Sequence, residues 1–171
     1  GDDRYEIVYV DDGSTDGTAA ALNALAQGNP RLRVVHHRVC AGQSAAIASG
    51  VAAASAPAIV TIDGDGQNDP ADIATLFDTF TAAEDREMLL VAGWRAKRQD
   101  SAVKRLSSRI ANGVRGRLLG DKTPDTGCGL KVFSRAAFLD LPHFDHMHRF
   151  LPALMLRRGG RVVSISVNHR P

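Results

Sequence analysis

The run Ile7-Val8-Tyr9-Val10 is short, apolar and rich in β-branched residues, and Asp11-Asp12-Gly13 stops it, which predicts a buried strand ending in a turn. The same pattern recurs at Leu32–Val35, Ala58–Ile62 and Met88–Ala92. Between these runs the apolar positions take helical spacing. A helix is predicted over Thr18–Gln27, with N-cap chemistry from Ser14-Thr15-Asp16 and closure by Gly28-Asn29-Pro30. An alanine-rich helix is predicted over Gly42–Ser55, and a third runs from Pro70, read as the first helical residue, to Ala82. Strand alternating with helix implies βαβ units and a mostly parallel sheet, whose strands are covered on both faces and so read as continuous apolar runs. Ligands of such sheets bind beyond the carboxyl ends of the strands, where both acidic clusters, Asp11-Asp12 and Asp63/Asp65, fall.

The second half changes character. A long helix crowded with bases is expected over Ser101–Leu119, followed by a strand at Leu130–Phe133, a helix at Phe150–Arg157 and a last strand at Val162–Val167. No repeat, linker or low-complexity stretch interrupts the chain, so residues 1–171 are read as one domain. The 44% hydrophobic and 23% charged fractions exclude a disordered chain. No apolar run reaches the roughly 20 residues of a membrane helix, and no signal peptide is recognisable. Cys40 and Cys128 make no framework or CxxC pair, so a reducing compartment is expected and both are read as small buried fillers.

The net charge of +2 conceals an asymmetry: residues 1–85 carry 4 Lys/Arg against 13 Asp/Glu, and residues 86–171 carry 17 against 6. Acid in one half suits a cation, and base in the other suits phosphates or an anionic surface. Asp63-Gly64-Asp65 sets two carboxylates at i and i+2 with Gln67 two further on, a donor set for hard cations such as Mg²⁺ or Mn²⁺, although a plain turn would read the same way. An EF-hand is excluded, because counting from Asp63 puts Asn68 at the glycine position and Ala74 at the glutamate position. No dinucleotide fingerprint or phosphate-binding lysine loop is present. His143, His146 and His148 lack zinc spacing and are read as part of a short amphipathic lid, with His148 or Arg149 facing phosphate. His36-His37 is read as a strand end at the surface. Few aromatics accompany the bases, which argues against a nucleic-acid partner.

Taken in order, Val10-Asp11-Asp12-Gly13-Ser14-Thr15-Asp16-Gly17-Thr18, Gly42-Gln43-Ser44-Ala45-Ala46 and Asp63-Gly64-Asp65-Gly66-Gln67-Asn68-Asp69-Pro70 resemble family 2 glycosyltransferases of the GT-A fold. Gly93-Trp94-Arg95, Lys104-Arg105-Leu106-Ser107-Ser108-Arg109 and Asp125-Thr126-Gly127-Cys128-Gly129-Leu130-Lys131 are similar to the branch that acts on polyprenyl phosphates, dolichyl or undecaprenyl. The resemblance implies an α/β, Rossmann-like domain, inverting transfer of a sugar from a nucleotide-diphosphate sugar to polyprenyl phosphate, and peripheral work at an anionic membrane surface on its cytoplasmic face. It implies Val10, Asp12 and Gly64 at the nucleotide sugar, and Asp63, Asp65 and Gln67 on a Mg²⁺ or Mn²⁺ ion. Arg95 is implied on the donor phosphate, Arg105, Arg109 and Lys131 near the acceptor phosphate, and Asp65, Arg95 and Arg105 in catalysis. Family members usually begin with a Pro-x-x-Asn-Glu strand and continue into a basic loop, and many add membrane helices. None of these is found here, so the chain is expected to be truncated at both ends. A binding module without turnover, and a polysaccharide-synthesising transferase with Asp125 as its general base, are the alternatives.

Overall fold

A computed structural model describes residues 5–96 and 120–170. Two apolar runs pair in parallel as β1 (Ile7–Asp11) and β2 (Leu32–His36), with Ile7 opposite Leu32 and Asp11 opposite His36. The helix between them, α1 (Thr18–Gly28), starts at the expected residue but without a side-chain cap: Gly17 holds the N-cap position, and Asp16 accepts from the Thr18 N–H at 2.9 Å. Helix α2 (Gln43–Ala53) packs on β1, where Gly50 lets Val10 approach its backbone. β1 differs from the continuous burial expected of it: Ile7 and Tyr9 are exposed, and Val8 and Val10 are half-buried. The covering helix meets one face of the strand only.

The other four strands form a separate sheet in the order β3 (Ala58–Thr61), β5 (Lys131–Ser134), β4 (Leu89–Trp94), β6 (Arg161–Ser166). β4 pairs parallel with β6, while β5 runs antiparallel to both β3 and β4. Three of the four strands therefore point the same way, as a mostly parallel sheet requires, with one reversed strand inserted. The reversal has a consequence for chemistry. It brings Lys131, the first residue of β5, level with Thr61 and Ala92 near the carboxyl ends of β3 and β4.

β4 is buried from Leu89 to Gly93 because both faces are covered. Leu89 and Val91 join Leu76 and Phe80 of α3 (Asp72–Thr81) in one apolar cluster. Leu90 joins Val51 of α2, Phe133 of β5 and Leu151 and Met155 of α5 (Met147–Arg157) in the other. Each such side chain contributes about 1.5–3 kcal/mol by leaving water, so the apolar runs anchor the strands that carry the site. A short helix, α4 (Arg135–Leu139), capped by Ser134, follows β5 without having been legible in the sequence.

Pro70 lies one residue ahead of the α3 N-cap, Ala71, instead of at the first helical position. Asp69 explains the shift: its carboxylate accepts from the Ala71 N–H and its carbonyl from the Asp72 N–H, so Asp69-Pro70-Ala71 is a turn. Residues 168–170 strap this turn down. Asn168 bonds both oxygens of Asp72, His169 bridges to Asn68, and Arg170 donates to the Gln67 carbonyl and to Asp69. The expected helix Ser101–Leu119, with Arg105 and Arg109, lies outside the described residues.

Candidate functional site

The carboxyl ends of β1 and β3 carry the acidic residues as expected, β4 ends just before Arg95, and the fold assigns each a different partner. At the end of β1, Asp11 accepts from the Ser14 N–H and bonds His36 Nδ1 at 3.0 Å. Asp12 accepts from the N–H groups of Ala41 and Gly42 at 2.9 and 2.8 Å, bonds His37 Nδ1 at 2.6 Å and takes the Cys40 thiol at 3.3 Å. His37 in turn bonds Ser49 through Nε2. Thus His36 and His37 do end a strand, but as partners of the two aspartates and not as idle surface. Gly13 makes this possible: its φ is +74°, and a methyl group there would meet the Cys40 nitrogen at 2.6 Å. Cys40 is exposed, against the expectation of a buried filler, whereas Cys128 is buried and its thiol is pushed up by burial.

The Ala41 N–H, ahead of His37, holds the Asp12 carboxyl far below the usual carboxylate range. A depressed folded-state value stabilises the protein fully above the unfolded carboxylate value and is lost as pH falls from there toward the lower one. Asp12→Asn is therefore expected to cost about 1–2 kcal/mol near neutrality. The gap from the parent should close as urea-unfolding titrations are repeated toward pH 3. A gap independent of pH would show that the charge of Asp12 contributes nothing.

At the end of β3, Asp63 Oδ1 accepts from Gln43 Nε2 at 2.9 Å, and its carboxylate lies directly against the Gly129 backbone. A methyl group on Gly129 would overlap that carboxylate, and Thr61 fixes the Gly129 carbonyl through its hydroxyl at 2.7 Å. Gly129→Ala is expected to lower stability by about 1–3 kcal/mol through overpacking and to drive Asp63 outward. Chemical denaturation measures the first effect, and an undisturbed Asp63 position in a structure of the variant would contradict the second. Asp65 is exposed and, among the described residues, accepts from the Gln67 N–H in its own turn, at 3.0 Å. Gln67 is also exposed, and Gly64 lies against the Tyr9 hydroxyl. Among the described residues no three His, Cys, Asp or Glu side chains converge to hold an ion.

At the end of β4, Arg95 closes its fork on Asp125: Nε to Oδ2 at 2.7 Å and Nη2 to Oδ1 at 2.9 Å, with side chains only 12% and 15% exposed. Asp125 holds the guanidinium firmly protonated. The residue expected on the donor phosphate thus already has one face engaged. Lys131 sits deep in the molecule, its ammonium on the Cys128 carbonyl, and burial pushes its pKa down. His148, also pushed down by burial, bonds the Ser44 hydroxyl through Nδ1 at 2.8 Å. Of the residues singled out in the sequence, Asp63, Arg95, Lys131 and His148 are gathered around one region. Asp12 is linked to Asp63 through the start of α2, where Gly42 bonds Asp12 and Gln43 bonds Asp63, while Val10 packs on Gly50; Arg105 and Arg109 lie outside the described residues. Sequence reasoning missed Gln43, Ser44 and His37, although Gln43 and Ser44 lie in a motif that it quoted.

Residues 1–141 match the family described as Glycosyl transferase family 2. A dodecaprenyl-phosphate galacturonate synthase from Rhizobium johnstonii is 36% identical over 170 residues, covering 97% of this chain and 49% of the relative. An undecaprenyl-phosphate 4-deoxy-4-formamido-L-arabinose transferase from Edwardsiella ictaluri is 34% identical, covering 97% of this chain and 50% of the relative. The chain spans about half the length of the curated relatives it matches. Among solved structures, a mycobacterial protein superposes with a TM-score of 0.68 at 21% identity, covering 97% of this chain and 57% of its own. A mannosyltransferase from Pyrobaculum calidifontis, in complex with GDP-Man and Mn2+, superposes at 0.62 with 19% identity, covering 94% of this chain and 45% of its own. These two likenesses show the fold.

Proposed function

The chain belongs to glycosyl transferase family 2, and from that premise we propose that it binds a nucleotide-diphosphate sugar at the carboxyl ends of β3 and β4 and transfers the sugar, with inversion, to a polyprenyl phosphate. The observation that carries the reading is the meeting of Asp63, Arg95 and Lys131 around one strand edge, beside the exposed Asp65 and Gln67. The names of the two relatives, both acting on polyprenyl phosphates, support the acceptor.

Asp63, Asp65 and Gln67 would hold a Mg²⁺ or Mn²⁺ ion. Their oxygen donors suit hard cations, and two carboxylates without a third fit the mode in which substrate phosphates complete the shell. Such an ion, when bound, supplies positive charge against the leaving diphosphate. The residues themselves do the positioning. Gln43 and Gly129 fix Asp63 before substrate arrives, and Asp125 holds Arg95 charged and in place, so donors face the diphosphate without reorganising during the reaction.

The acceptor follows from the carboxylates. A hydroxyl acceptor needs a general base, and Asp125, the candidate, has both oxygens on Arg95. A phosphate monoester, with a second pKa of about 6, is already largely dianionic near neutrality and attacks unaided. This favours polyprenyl phosphate over a polysaccharide hydroxyl. The acceptor puts the work at a membrane, where Arg105 and Arg109 would meet anionic lipid; no helix among the described residues is long and apolar enough to cross one.

The test is calorimetric binding of UDP- and GDP-sugars with and without Mn²⁺, followed by transfer of radiolabelled sugar into undecaprenyl phosphate. Metal-dependent binding with transfer supports the reading. Binding without transfer turns it into the non-catalytic module, and no binding at all sinks it.

A further inference from the structure

Gly129, against which the Asp63 carboxylate lies, borders a cavity of about 20 Å³. Its wall includes Ser44 of α2, Thr61 at the end of β3, Gly129, Lys131 at the start of β5, and His148 of α5. Lys131 is 5% exposed, and its ammonium bonds the Cys128 carbonyl. An ammonium carries three protons to donate, and this bond uses one of them. Among the described residues no carboxylate lies within ion-pair distance of it. The nearest acids act only through space and have other partners: Asp63 is bonded by Gln43, and Asp125 by Arg95. The other cation felt by Lys131, Arg95, opposes its charge. A buried ammonium without an anion is costly to maintain, and a cavity at its side is where an anion would enter.

The remaining wall holds no acid: Ile47, Phe138, Met147 and Leu151 make much of it apolar, and Ser44, Thr61 and His148 supply its hydrogen-bonding groups. The Ser44 hydroxyl accepts from the His148 N–H at 3.3 Å and meets His148 Nδ1 at 2.8 Å. Nδ1 is thus taken up by Ser44, and among the described residues no group bonds the other ring nitrogen, Nε2. The cavity has room for about one water molecule. That admits the edge of a planar carboxylate. A flat carboxylate edge suits so small a space better than a tetrahedral phosphate does.

Resting on the transferase reading, we propose that this cavity receives a carboxylate borne by the transferred sugar, and that Lys131 is the cation that pairs with it. The donor class is then a nucleoside-diphosphate uronic acid, with the sugar ring lying over the cavity below the diphosphate. A site built around a charged partner rejects the analogue lacking it far more strongly than an apolar pocket rejects a missing methylene.

The experiment is calorimetry in Mn²⁺ with UDP, GDP, UDP-glucuronate against UDP-glucose, and GDP-mannuronate against GDP-mannose, on the parent and on Lys131→Met. The parent is expected to bind the uronate of the accepted base at least about tenfold more tightly than its neutral counterpart. Lys131→Met should erase that difference. Equal affinity of the parent for both sugars overturns the proposal, and so does a Lys131→Met loss that is the same for both. A loss confined to the KM for undecaprenyl phosphate also overturns it, by assigning Lys131 to the acceptor. The parent's own donor preference decides the matter even if the variant does not fold. Failure of UDP and GDP alike to bind sinks the transferase reading instead, a result distinct from nucleotide binding without uronate preference.

Discussion

Asp65→Ala is expected to abolish the Mn²⁺-dependent part of nucleotide-sugar affinity and to lower transfer by about 10²–10³-fold, the loss that follows removal of one charge-stabilising group from a preorganised site. Stability should hardly move. Asp65 is exposed, and its described bond is a local one to the Gln67 N–H, so a change within about 0.5 kcal/mol is expected, as for ordinary surface positions. Calorimetry with and without Mn²⁺, beside a thermal melt, separates the two quantities. Unchanged metal dependence in a folded variant would remove Asp65 from the donor site and leave the Asp63-Gly64-Asp65 turn as structure.

Asp125→Ala should do the opposite. Its carboxylate binds Arg95 through two hydrogen bonds in a largely buried setting, and deleting it strands a guanidinium that cannot discharge. Breaking such a pair costs roughly 3 kcal/mol, the lower end of the range for buried pairs because both side chains keep some contact with water. Arg95→Met combined with Asp125→Leu should recover much of the loss, since apolar replacements leave no orphaned charge. Urea unfolding of the two single variants and the double variant measures the coupling. Losses that simply add would mean that the pair is not a unit. A general-base role makes a different forecast, because removal of Asp125 would then suppress transfer to a hydroxyl acceptor without the large stability loss.

The two aspartates are chemically identical, and the local sequence around each looks like the same kind of turn. What separates them is the company each keeps in the fold. Arg95 reaches Asp125 across 30 positions of chain, and nothing in the spacing of either motif specifies that encounter. The histidines make the same point. His36 and His37 were legible as the end of a strand, and β2 does end there. Their pairing with Asp11 and Asp12 came from the parallel register of β1 and β2, which sets Asp11 opposite His36. Cys40 was misread because a small apolar side chain next to Val39 looks like core, whereas the loop is held outward by the bonds from Ala41 and Gly42 to Asp12.

By itself the sequence determined the six described strands and the helices α1, α2, α3 and α5 to within a few residues, the placing of acidic residues at strand ends, and the likeness to glycosyl transferases. These rest on apolar periodicity, turn residues and ordered motifs, all of which act over a few neighbouring positions. Only the tertiary structure decided that β5 enters its sheet reversed, so that Lys131 is buried level with Thr61 at the end of β3. It alone decided that Gly129 must lack a side chain and that Arg95 is clasped by Asp125. The physical reason is that buried charges and close backbone contacts are settled by which distant segments meet once the apolar faces are covered. A local pattern carries no record of those meetings.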